Sequence, residues 1–407
     1  MQITPQAARR PVGAAPDGQD RYPTRLLYLL NVSNPDRLSA DSGFTFADLL
    51  APALTDAGAE VTVAAPVPAG DRRVGFEPTV SPATKYRARF DPGIHDLADL
   101  VRRTRPEVVV ANQIEAAPAV RAALLEAGTD ALIAGYCHYL PFSFSGDGRL
   151  VADPSLDDGG LGPAVMLAFA AGLAACDRVL VHSATSASWT TAAAARMGVD
   201  LAGKLHVVPA PRDGRLVRDP ADVAVPQGRA AGVYGHRLYA HYGTADFTAL
   251  ARRLAAEAPV TLTVLDLFGT RSPERVRLDA SPERHRDELA SLDGVTIASD
   301  RGDRVRYRDL LAGAHFGIAP FRPGCPWSMS VIDCQGMGLP VIAPRTGWLA
   351  EHIDEDLLFD TGDQAVAIAV RLATDGEFYR LHAKRAHAST ADLTPARVAA
   401  RYLEALR

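Results

Sequence analysis

Residues 308–354, RDLLAGAHFGIAPFRPGCPWSMSVIDCQGMGLPVIAPRTGWLAEHID, contain a dense set of groups that can bind an anion. A buried strand, FGIAP, is predicted to enter a loop rich in Pro, Gly and Ser, and a helix is predicted to begin near Met329 to Val331. Ser328 and Ser330 are candidate caps of this helix, and Asp333 is predicted on its first turn. Unpaired N–H groups at a helix start, at the positive end of the helix dipole, attract negative charge. The segment therefore predicts an anion site.

Other segments carry side chains that are suited to chemistry. The stretch GHRLYAHYGTADF contains Arg237, whose guanidinium either donates two parallel hydrogen bonds to a phosphate or forms a surface ion pair. His138, in GYCHYLPF, is either an active-site residue or a satisfied core histidine at a strand end. Gly43, in DSGFTFADLL, suits a tight turn that a substrate can approach. Glu115 is the first acid after a buried strand, where a helix-start role competes with catalysis.

Alternating strands and helices must hold these side chains in place. In the first half of the chain, the predicted strands are β-branched and apolar on consecutive positions, as expected of strands buried on both faces. These strands span 26–32, 61–66, 108–111, 131–136 and 179–181, and the helices between them span 44–57, 97–105, 117–127 and 162–175. Strand then helix, repeated, predicts parallel βαβ units and a doubly wound α/β sheet.

A second βα series follows a polar, Pro-rich stretch. Its predicted strands span 231–234, 260–266, 295–299, 316–319 and 341–343, and its helices span 245–256, 308–312, 331–337, 363–373 and 395–406. We therefore predict a disordered leader (1–22), a first Rossmann-like domain (23–215), a linker (216–229), a second Rossmann-like domain (230–388) and a C-terminal helix (389–407) that packs back on the first domain. Ligands of such folds bind at the carboxyl ends of the strands, so the cleft between the domains is the expected site.

Composition and missing motifs exclude several classes of function. The 407 residues carry a net charge of -5 with no basic stripe or tail, which argues against a nucleic-acid partner. No run approaches the roughly 18 apolar residues of a transmembrane helix, and the first residues lack the apolar centre of a signal peptide. The sequence lacks the motifs of P-loop ATPases, zinc sites and α/β-hydrolases. We therefore expect a cytoplasmic protein whose cysteines (Cys137, Cys176, Cys325 and Cys334) are buried free thiols.

The tail GMGLPVIAP resembles the donor-binding region of retaining GT-B glycosyltransferases of the family 4-like group (group 1). The pattern of that family is two glutamates eight positions apart, followed by Ala-Met-Ala-x-Gly-x-Pro-Val. Asp333 stands at the second glutamate position, but Cys325 occupies the first. Arg237 matches the family's phosphate-binding arginine, whereas Tyr242 replaces its lysine. Because CDRVLVHSATSASW, KLHVVPAPRD and TGWLAEHI match further family segments in the same order, the chain resembles a divergent member from about residue 25 onward.

The resemblance implies the GT-B fold, with two Rossmann-like domains facing each other across a cleft. The first domain (23–215) is expected to bind the acceptor and the second (230–388) the nucleotide sugar. It also implies a metal-independent, retaining transfer from a nucleoside diphosphate sugar, a UDP- or GDP-sugar acting as co-substrate with no other cofactor. The residues expected to bind the donor are Arg237, Tyr242, Ser328, Met329, Ser330, Val331 and Asp333. The residues expected to bind a small-molecule acceptor are Gly43, Phe44, Glu115 and His138. His138 and Arg237 are the expected catalytic residues, with His138 contacting the sugar or the acceptor.

The departures at Cys325 and Tyr242 leave three functions open. An Ala-, Arg-, Asp- and Gly-rich composition is typical of high-GC bacteria, which favours a glycosyltransferase of natural-product or small-metabolite biosynthesis. A sugar-nucleotide epimerase or a pseudo-glycosyltransferase would keep the fold and change the reaction. A non-catalytic nucleotide-sugar-binding subunit would account for the two missing family residues.

Overall fold

The computed structural model describes residues 25–32, 38, 41–68, 70–80, 85–90, 94–145, 148–156, 158–267, 279–322 and 324–407. In these ranges strands and helices alternate in two series, each built around a parallel sheet. The doubly wound α/β class predicted from the apolar runs is confirmed. The predicted leader, residues 1–22, lies outside the described residues.

The first sheet has seven strands in the order β3-β2-β1-β4-β5-β8-β9, and all of its pairs are parallel. Consecutive apolar residues bury the central strands on both faces, so that every residue of β4 is buried. The winding reverses between β1 and β4, where a doubly wound sheet forms a crevice. The strands are β1 Arg25–Leu29, β2 Glu60–Ala65, β3 Gly75–Pro78, β4 Val108–Ala111, β5 Leu132–Tyr136, β8 Arg178–Val181 and β9 Leu205–Val207. A separate antiparallel pair is formed by β6 Phe142–Phe144 and β7 Leu150–Ala152.

The second sheet has six parallel strands in the order β12-β11-β10-β13-β14-β15. Its winding reverses between β10 and β13, so this sheet also has a crevice at the carboxyl ends of its strands. The strands are β10 Ala230–Tyr234, β11 Val260–Leu265, β12 Val295–Ala298, β13 Phe316–Ile318, β14 Val341–Pro344 and β15 Leu358–Phe359.

The described α-helices connect these strands. They are α1 Ser42–Asp56, α2 Lys85–Phe90, α3 Ile94–Thr104, α4 Ala117–Ala127, α5 Gly162–Ala175, α6 Ala184–Arg196, α7 Thr244–Glu257, α8 Ser281–Ala290, α9 Arg304–Ala312, α10 Met329–Gly336, α11 Gly347–His352, α12 Gly362–Thr374, α13 Gly376–Ser389 and α14 Pro395–Ala405. None of them is long and apolar enough to cross a membrane. The four cysteines are buried and unpaired, as predicted.

Helix α10 begins at Met329, at the early end of the predicted range of Met329 to Val331, and this places Asp333 beyond the first turn. Ser328 is the N-cap, and its Oγ accepts a hydrogen bond from the Val331 N–H. Asp333 is therefore the fifth helical residue and lies on the second turn, so its predicted first-turn position is wrong. Ser330 lies inside the helix and is not a cap.

Two contacts tie the halves of the chain together. The final helix, α14, packs against α1 of the first series, and the Tyr402 ring lies 6.0 Å from the Tyr136 ring, nearly parallel to it. On the other side, the Glu351 carboxylate of α11 accepts hydrogen bonds from the N–H groups of Ala184 (3.2 Å) and Thr185 (2.9 Å). These N–H groups open helix α6, so an acid of the second series satisfies donors that a helix start leaves unpaired.

We expect Glu351→Ala to lower the free energy of unfolding by about 1 kcal/mol, because it removes a cap of α6 that also joins the two series. Urea unfolding followed by circular dichroism measures this change. Glu60→Ala is the matched control, since Glu60 is exposed at the first position of β2. Equal stability of the two variants would contradict a capping role for Glu351.

Candidate active site

A cavity of about 250 Å³ lies where the two sheets point their carboxyl ends at each other. The first series contributes α1 and the segment after β5, and the second contributes the segments that follow β10, β12 and β13. The residues that line the cavity include Gly43, Thr45, His138, Tyr139, His236, Arg237, Tyr242, Arg304, Tyr307, Arg322, Cys325, Trp327, Ser328, Met329, Ser330 and Asp333. Side chains from both halves thus face one space.

The start of α10 forms one wall of the cavity. Met329 and Ser330 line it, and their N–H groups belong to the first turn, which has no earlier helical carbonyls to pair with. The Ser330 Oγ lies 3.0 Å from Nε2 and 3.1 Å from Nδ1 of His236, a buried histidine that follows β10. Burial lowers the pKa of His236 to about 3, so its ring is neutral at pH 7. The wall can therefore bind an anion through N–H groups and a helix dipole.

A buried ionic network lies behind this wall. The Arg304 guanidinium is 2.9 Å from an Asp213 oxygen and 3.5 Å from an Asp333 oxygen. The two carboxylates are only 1% and 2% exposed, and Asp333 Oδ1 has no hydrogen-bond partner among the described residues. Burial raises the pKa of Asp333 to about 6, against the lowering effect of Arg304 and of a hydrogen bond from Tyr307. One oxygen of Asp333 is thus left to accept a hydrogen bond from a ligand.

The loop before α10 supplies a cation at the other end of the cavity. Arg322 lies 3.0 Å from Asp153 and stacks over the Tyr139 ring at 4.6 Å, with Tyr242 at 5.8 Å. The Cys325 thiol donates to the Trp327 carbonyl, and burial raises its pKa to about 11. Cys325 is therefore protonated at pH 7 and does not act as a nucleophile.

His138 stands on the opposite wall. Its Nδ1 lies 3.0 Å from Nε2 of His182, and its ring stacks on Tyr136 at 4.1 Å. Trp327 reaches across from the second series and donates its indole N–H to the His138 carbonyl at 2.8 Å. Burial lowers the pKa of His138 to about 3, so the imidazole is neutral.

The cavity brings together most of the residues that the sequence singles out. Gly43, His138, Arg237, Tyr242, Ser328, Met329, Ser330 and Asp333 line it. Three others do not. Phe44 packs against the core and gives its N–H to Asp41. Glu115 forms a buried ion pair with Arg89 at 3.0 Å, and the Val331 N–H is already held by Ser328. The Phe44 and Glu115 side chains and the Val331 N–H group therefore make contacts that stabilise the fold.

Sequence reasoning missed Arg304, Arg322, Tyr139, Tyr307, His182 and His236. Arg304 opens the helix after β12, and Arg322 follows β13, so both stand just beyond strand ends that were predicted. The rule that ligands bind at the carboxyl ends of parallel strands could have pointed to these two. No sequence pattern points to His182, because its link to the site is its contact with His138 in the folded protein.

The two buried acids should respond oppositely to pH. Because the pKa of Asp333 is raised above its unfolded value, the folded state binds its proton more tightly, and stability falls as pH rises from 4 to 7. Thermal unfolding should show wild type losing about 3 kcal/mol relative to Asp333→Asn over this window, since the pKa shift is about 2 units.

Asp213→Asn is the control for this measurement. Burial alone would raise the pKa of Asp213, but hydrogen bonds from Arg215 and Arg304 lower it on balance. Its contribution is therefore constant between pH 4 and 7 and is lost only as pH falls below about 4. The same pH slope for both variants would contradict the different environments of the two acids.

Comparisons with known proteins bear on the fold. No protein-family model matches the sequence, and no curated protein matches it. Sucrose-phosphate synthase from Thermosynechococcus elongatus superposes with a TM-score of 0.70 at 16% identity, covering 93% of this chain and 97% of that one. HepE from Anabaena, in complex with UDP and glucose, gives 0.66 at 15% identity, covering 94% and 98%. The trehalose-6-phosphate synthase OtsA gives 0.68 at 11% identity, covering 94% and 98%.

At these identities the likeness establishes the fold. Both sheets, their parallel order and their facing carboxyl ends agree with it. The chain has the GT-B fold, two Rossmann-like domains facing each other across a cleft.

Proposed function

We propose that this protein is a glycosyltransferase that moves a sugar from a nucleoside diphosphate sugar to a small-molecule acceptor, with retention and without a metal ion. The proposal rests mainly on the start of α10. This helix start lies in the cleft between the domains and lines the same cavity as Arg237. A helix start and an arginine in one cavity suit a diphosphate. As a biological setting we propose bacterial natural-product or small-metabolite biosynthesis in the cytoplasm, in keeping with the composition.

The leaving group would be stabilised by fixed positive charge. The N–H groups of Met329 and Ser330 would hold the β-phosphate, and Arg237 would donate two parallel hydrogen bonds to it. Tyr242 stands where the resembled family has a lysine, but Arg322 lies over the Tyr242 ring and lines the same cavity. We infer that Arg322 supplies the cation that Tyr242 lacks. Stabilising the departing diphosphate is then the main catalytic contribution.

The nucleoside would lie against Asp333. Its Oδ1 is buried and has no hydrogen-bond partner among the described residues, which is costly for a polar atom unless a ligand pairs with it. A ribose hydroxyl is a donor of the required kind. Arg304 and Tyr307 hold the other side of the carboxyl group, so its orientation is set before the nucleotide arrives.

The acceptor would enter from the first domain. Gly43, Thr45 and His138 line that side of the cavity. At Gly43 a β-carbon would come within 3.3 Å of an Asp41 oxygen and 3.4 Å of the Asn112 amide, so a side chain would crowd this wall. The glycine leaves the backbone at the start of α1 open to a substrate.

Metal independence and retention are proposed on different grounds. Arg237, Arg304 and Arg322 line the cavity, although Arg304 is paired with Asp213 and Asp333, and Arg322 with Asp153. Arg237 and the N–H groups at the start of α10 would offset the charge of a diphosphate without a metal ion. Within the described ranges, the one group of acids and histidine spaced for a metal ion, Asp354, Asp356 and His382, contains no residue of the cavity wall. Retention rests on the resemblance of GMGLPVIAP to the donor segment of retaining enzymes.

The structural neighbours support the choice of donor. HepE was solved with UDP, with UDP-glucose, and with UDP and glucose, and two other neighbours are named as synthases of sucrose phosphate and trehalose 6-phosphate. We therefore propose a UDP- or GDP-sugar as co-substrate, with no further cofactor.

A thermal-shift experiment with UDP-, GDP- and dTDP-glucose tests donor binding. We expect a UDP- or GDP-sugar to raise the melting temperature, because a ligand at 100 times its Kd adds about 2.7 kcal/mol to the stability of the folded state. Arg237→Ala should weaken the apparent affinity about 10-fold or more, since it removes a charged hydrogen-bond partner of the diphosphate. Arg401→Ala, on the exposed face of α14, is the control and should leave the shift unchanged.

Analysis of the products then separates the alternative functions. A glycosyltransferase releases nucleoside diphosphate only when an acceptor is present. An epimerase interconverts sugar nucleotides and releases no nucleoside diphosphate. A non-catalytic subunit neither releases nucleoside diphosphate nor changes the sugar nucleotide, whichever acceptor is added. If none of the three nucleotide sugars shifts the melting temperature at millimolar concentration, the proposed donor site is refuted.

A further inference from the structure

A chain of buried polar atoms runs from the backbone to His138. The Tyr136 hydroxyl forms a short hydrogen bond with the Val208 carbonyl oxygen. The same hydroxyl lies 3.5 Å from Nδ1 of His182, whose Nε2 lies 3.0 Å from Nδ1 of His138. His138 in turn is part of the cavity wall, and its Nε2 has no hydrogen-bond partner among the described residues.

The donors and acceptors of this chain can be assigned in one direction. A carbonyl oxygen carries no hydrogen, so the single proton of the Tyr136 hydroxyl must point to Val208. The Tyr136 oxygen can then only accept, which makes Nδ1 of His182 the donor. If His182 is neutral, its Nε2 is an acceptor, and Nδ1 of His138 must carry the proton between the two rings.

Both imidazoles are neutral for a physical reason. Burial lowers the pKa of His182 well below its ordinary value, and the neighbouring His138 lowers it further. Burial lowers the pKa of His138 as well. A second proton between two desolvated rings would also repel the first. Each ring therefore carries one proton, on its Nδ1, and the Nδ1–H of His138 is the one that lies between the two rings. The Nε2 of His138 is left bare.

Aromatic packing keeps the rings in this arrangement. Tyr136 stacks on His138 with 11° between the planes, and Trp327 stacks on His182 at 4.3 Å with 17° between the planes. Phe46 meets His138 edge-on at 4.5 Å. Tyr136 and Phe46 therefore both pack against the His138 ring. This packing restrains the ring flip that would exchange the positions of Nδ1 and Nε2.

We propose that Tyr136 and His182 are positioning residues that hold His138 as the Nδ1–H tautomer, so that its Nε2 accepts a hydrogen bond from a substrate hydroxyl. The identity of that substrate as a sugar or its acceptor rests on the proposed function, but the tautomer does not. A bare imidazole nitrogen accepts from an O–H or N–H donor and has no proton to offer a phosphate or a carboxylate. The group that meets His138 is therefore a hydrogen-bond donor, which on a transferred sugar is a hydroxyl, and the anionic part of the ligand lies elsewhere in the cavity.

Nitrogen NMR of the full chain, labelled with ¹⁵N in its histidine rings, tests the tautomer without any ligand. The signals of His138 are identified by their loss in His138→Gln. We expect a protonated Nδ1 and a bare Nε2 at pH 7. In water a neutral histidine favours the opposite, Nε2–H form, so the result reports on the protein environment. An Nε2–H tautomer in the wild-type protein would overturn the proposal.

Two substitutions of His182 separate positioning from packing. His182→Gln still offers a carbonyl oxygen to Nδ1–H of His138 and should keep the Nδ1–H tautomer. His182→Phe fills the space but cannot accept, so His138 should shift toward Nε2–H. Tyr136→Phe, which keeps the ring stacked on His138, should produce a smaller shift in the same direction. If all three variants keep the wild-type tautomer, the relay does not set it and the proposal is wrong.

Turnover supplies a second readout. We expect kcat/KM for transfer to fall about 10-fold in His182→Phe and much less in His182→Gln, because only the former loses the acceptor. A donor or acceptor whose relevant hydroxyl is replaced by fluorine should show no further loss in His182→Phe. A loss that is the same for the fluorinated and the natural substrate would contradict a hydrogen bond from that hydroxyl. Absence of any transfer would refute the proposed function and leave the NMR result standing.

Discussion

The start of helix α10 is the feature on which the rest of the site depends. Parallel strands direct their carboxyl ends to one edge of each sheet, and the helix that follows β13 must begin at that edge. Ser328 accepts two of its first N–H groups, that of Val331 on its Oγ and that of Ile332 on its carbonyl oxygen, whereas Met329 and Ser330 have no earlier helical carbonyl to pair with. The remaining groups of this helix start face a cavity lined by arginine side chains. A negatively charged ligand is the natural complement of such a wall.

The loop before α10 also joins the two domains. Trp327 donates to the His138 carbonyl, the Ser186 hydroxyl donates to the Pro326 carbonyl, and Arg322 pairs with Asp153. The same loop therefore shapes the cavity and holds the first domain against the second. Near Cys325, where the sequence departs from the resembled family, the Trp327 side chain makes its contact across the cleft, whereas the Cys325 thiol bonds within the loop.

The fold was largely predictable from sequence because it rests on local patterns. Consecutive apolar residues such as Val108–Ala111 mark strands buried on both faces, and these strands lie within a few residues of their predicted bounds. Several described elements were not predicted: the helices α2, α6, α8, α11 and α13 and the strands β3, β6, β7, β9 and β15. The unpredicted strands and the helices α2 and α11 are short. The sequences of α6, α8 and α13 are rich in Ala, Ser, Thr or charge and carry no clear apolar stripe. Tertiary packing, which the local pattern does not contain, stabilises them.

The site was predictable only in part. Residues near strand ends with a matching motif, such as Arg237 and Asp333, do line the cavity. Glu115 shows the limit, because its partner Arg89 lies 26 positions earlier and no pattern connects the two. His182 and Arg304 likewise gain their relevance from contacts with residues 44 and 91 positions away. Such pairings arise when the sheets assemble, so only the three-dimensional structure reveals them.

The most direct test of the proposed donor site is a crystal structure of the protein with the nucleoside diphosphate sugar that binds it. We expect the β-phosphate within about 3 Å of the N–H groups of Met329 or Ser330, with the Arg237 guanidinium on the same phosphate and a ribose hydroxyl on Asp333. A nucleotide ordered elsewhere on the protein, with the start of α10 making no contact to it, would refute this site.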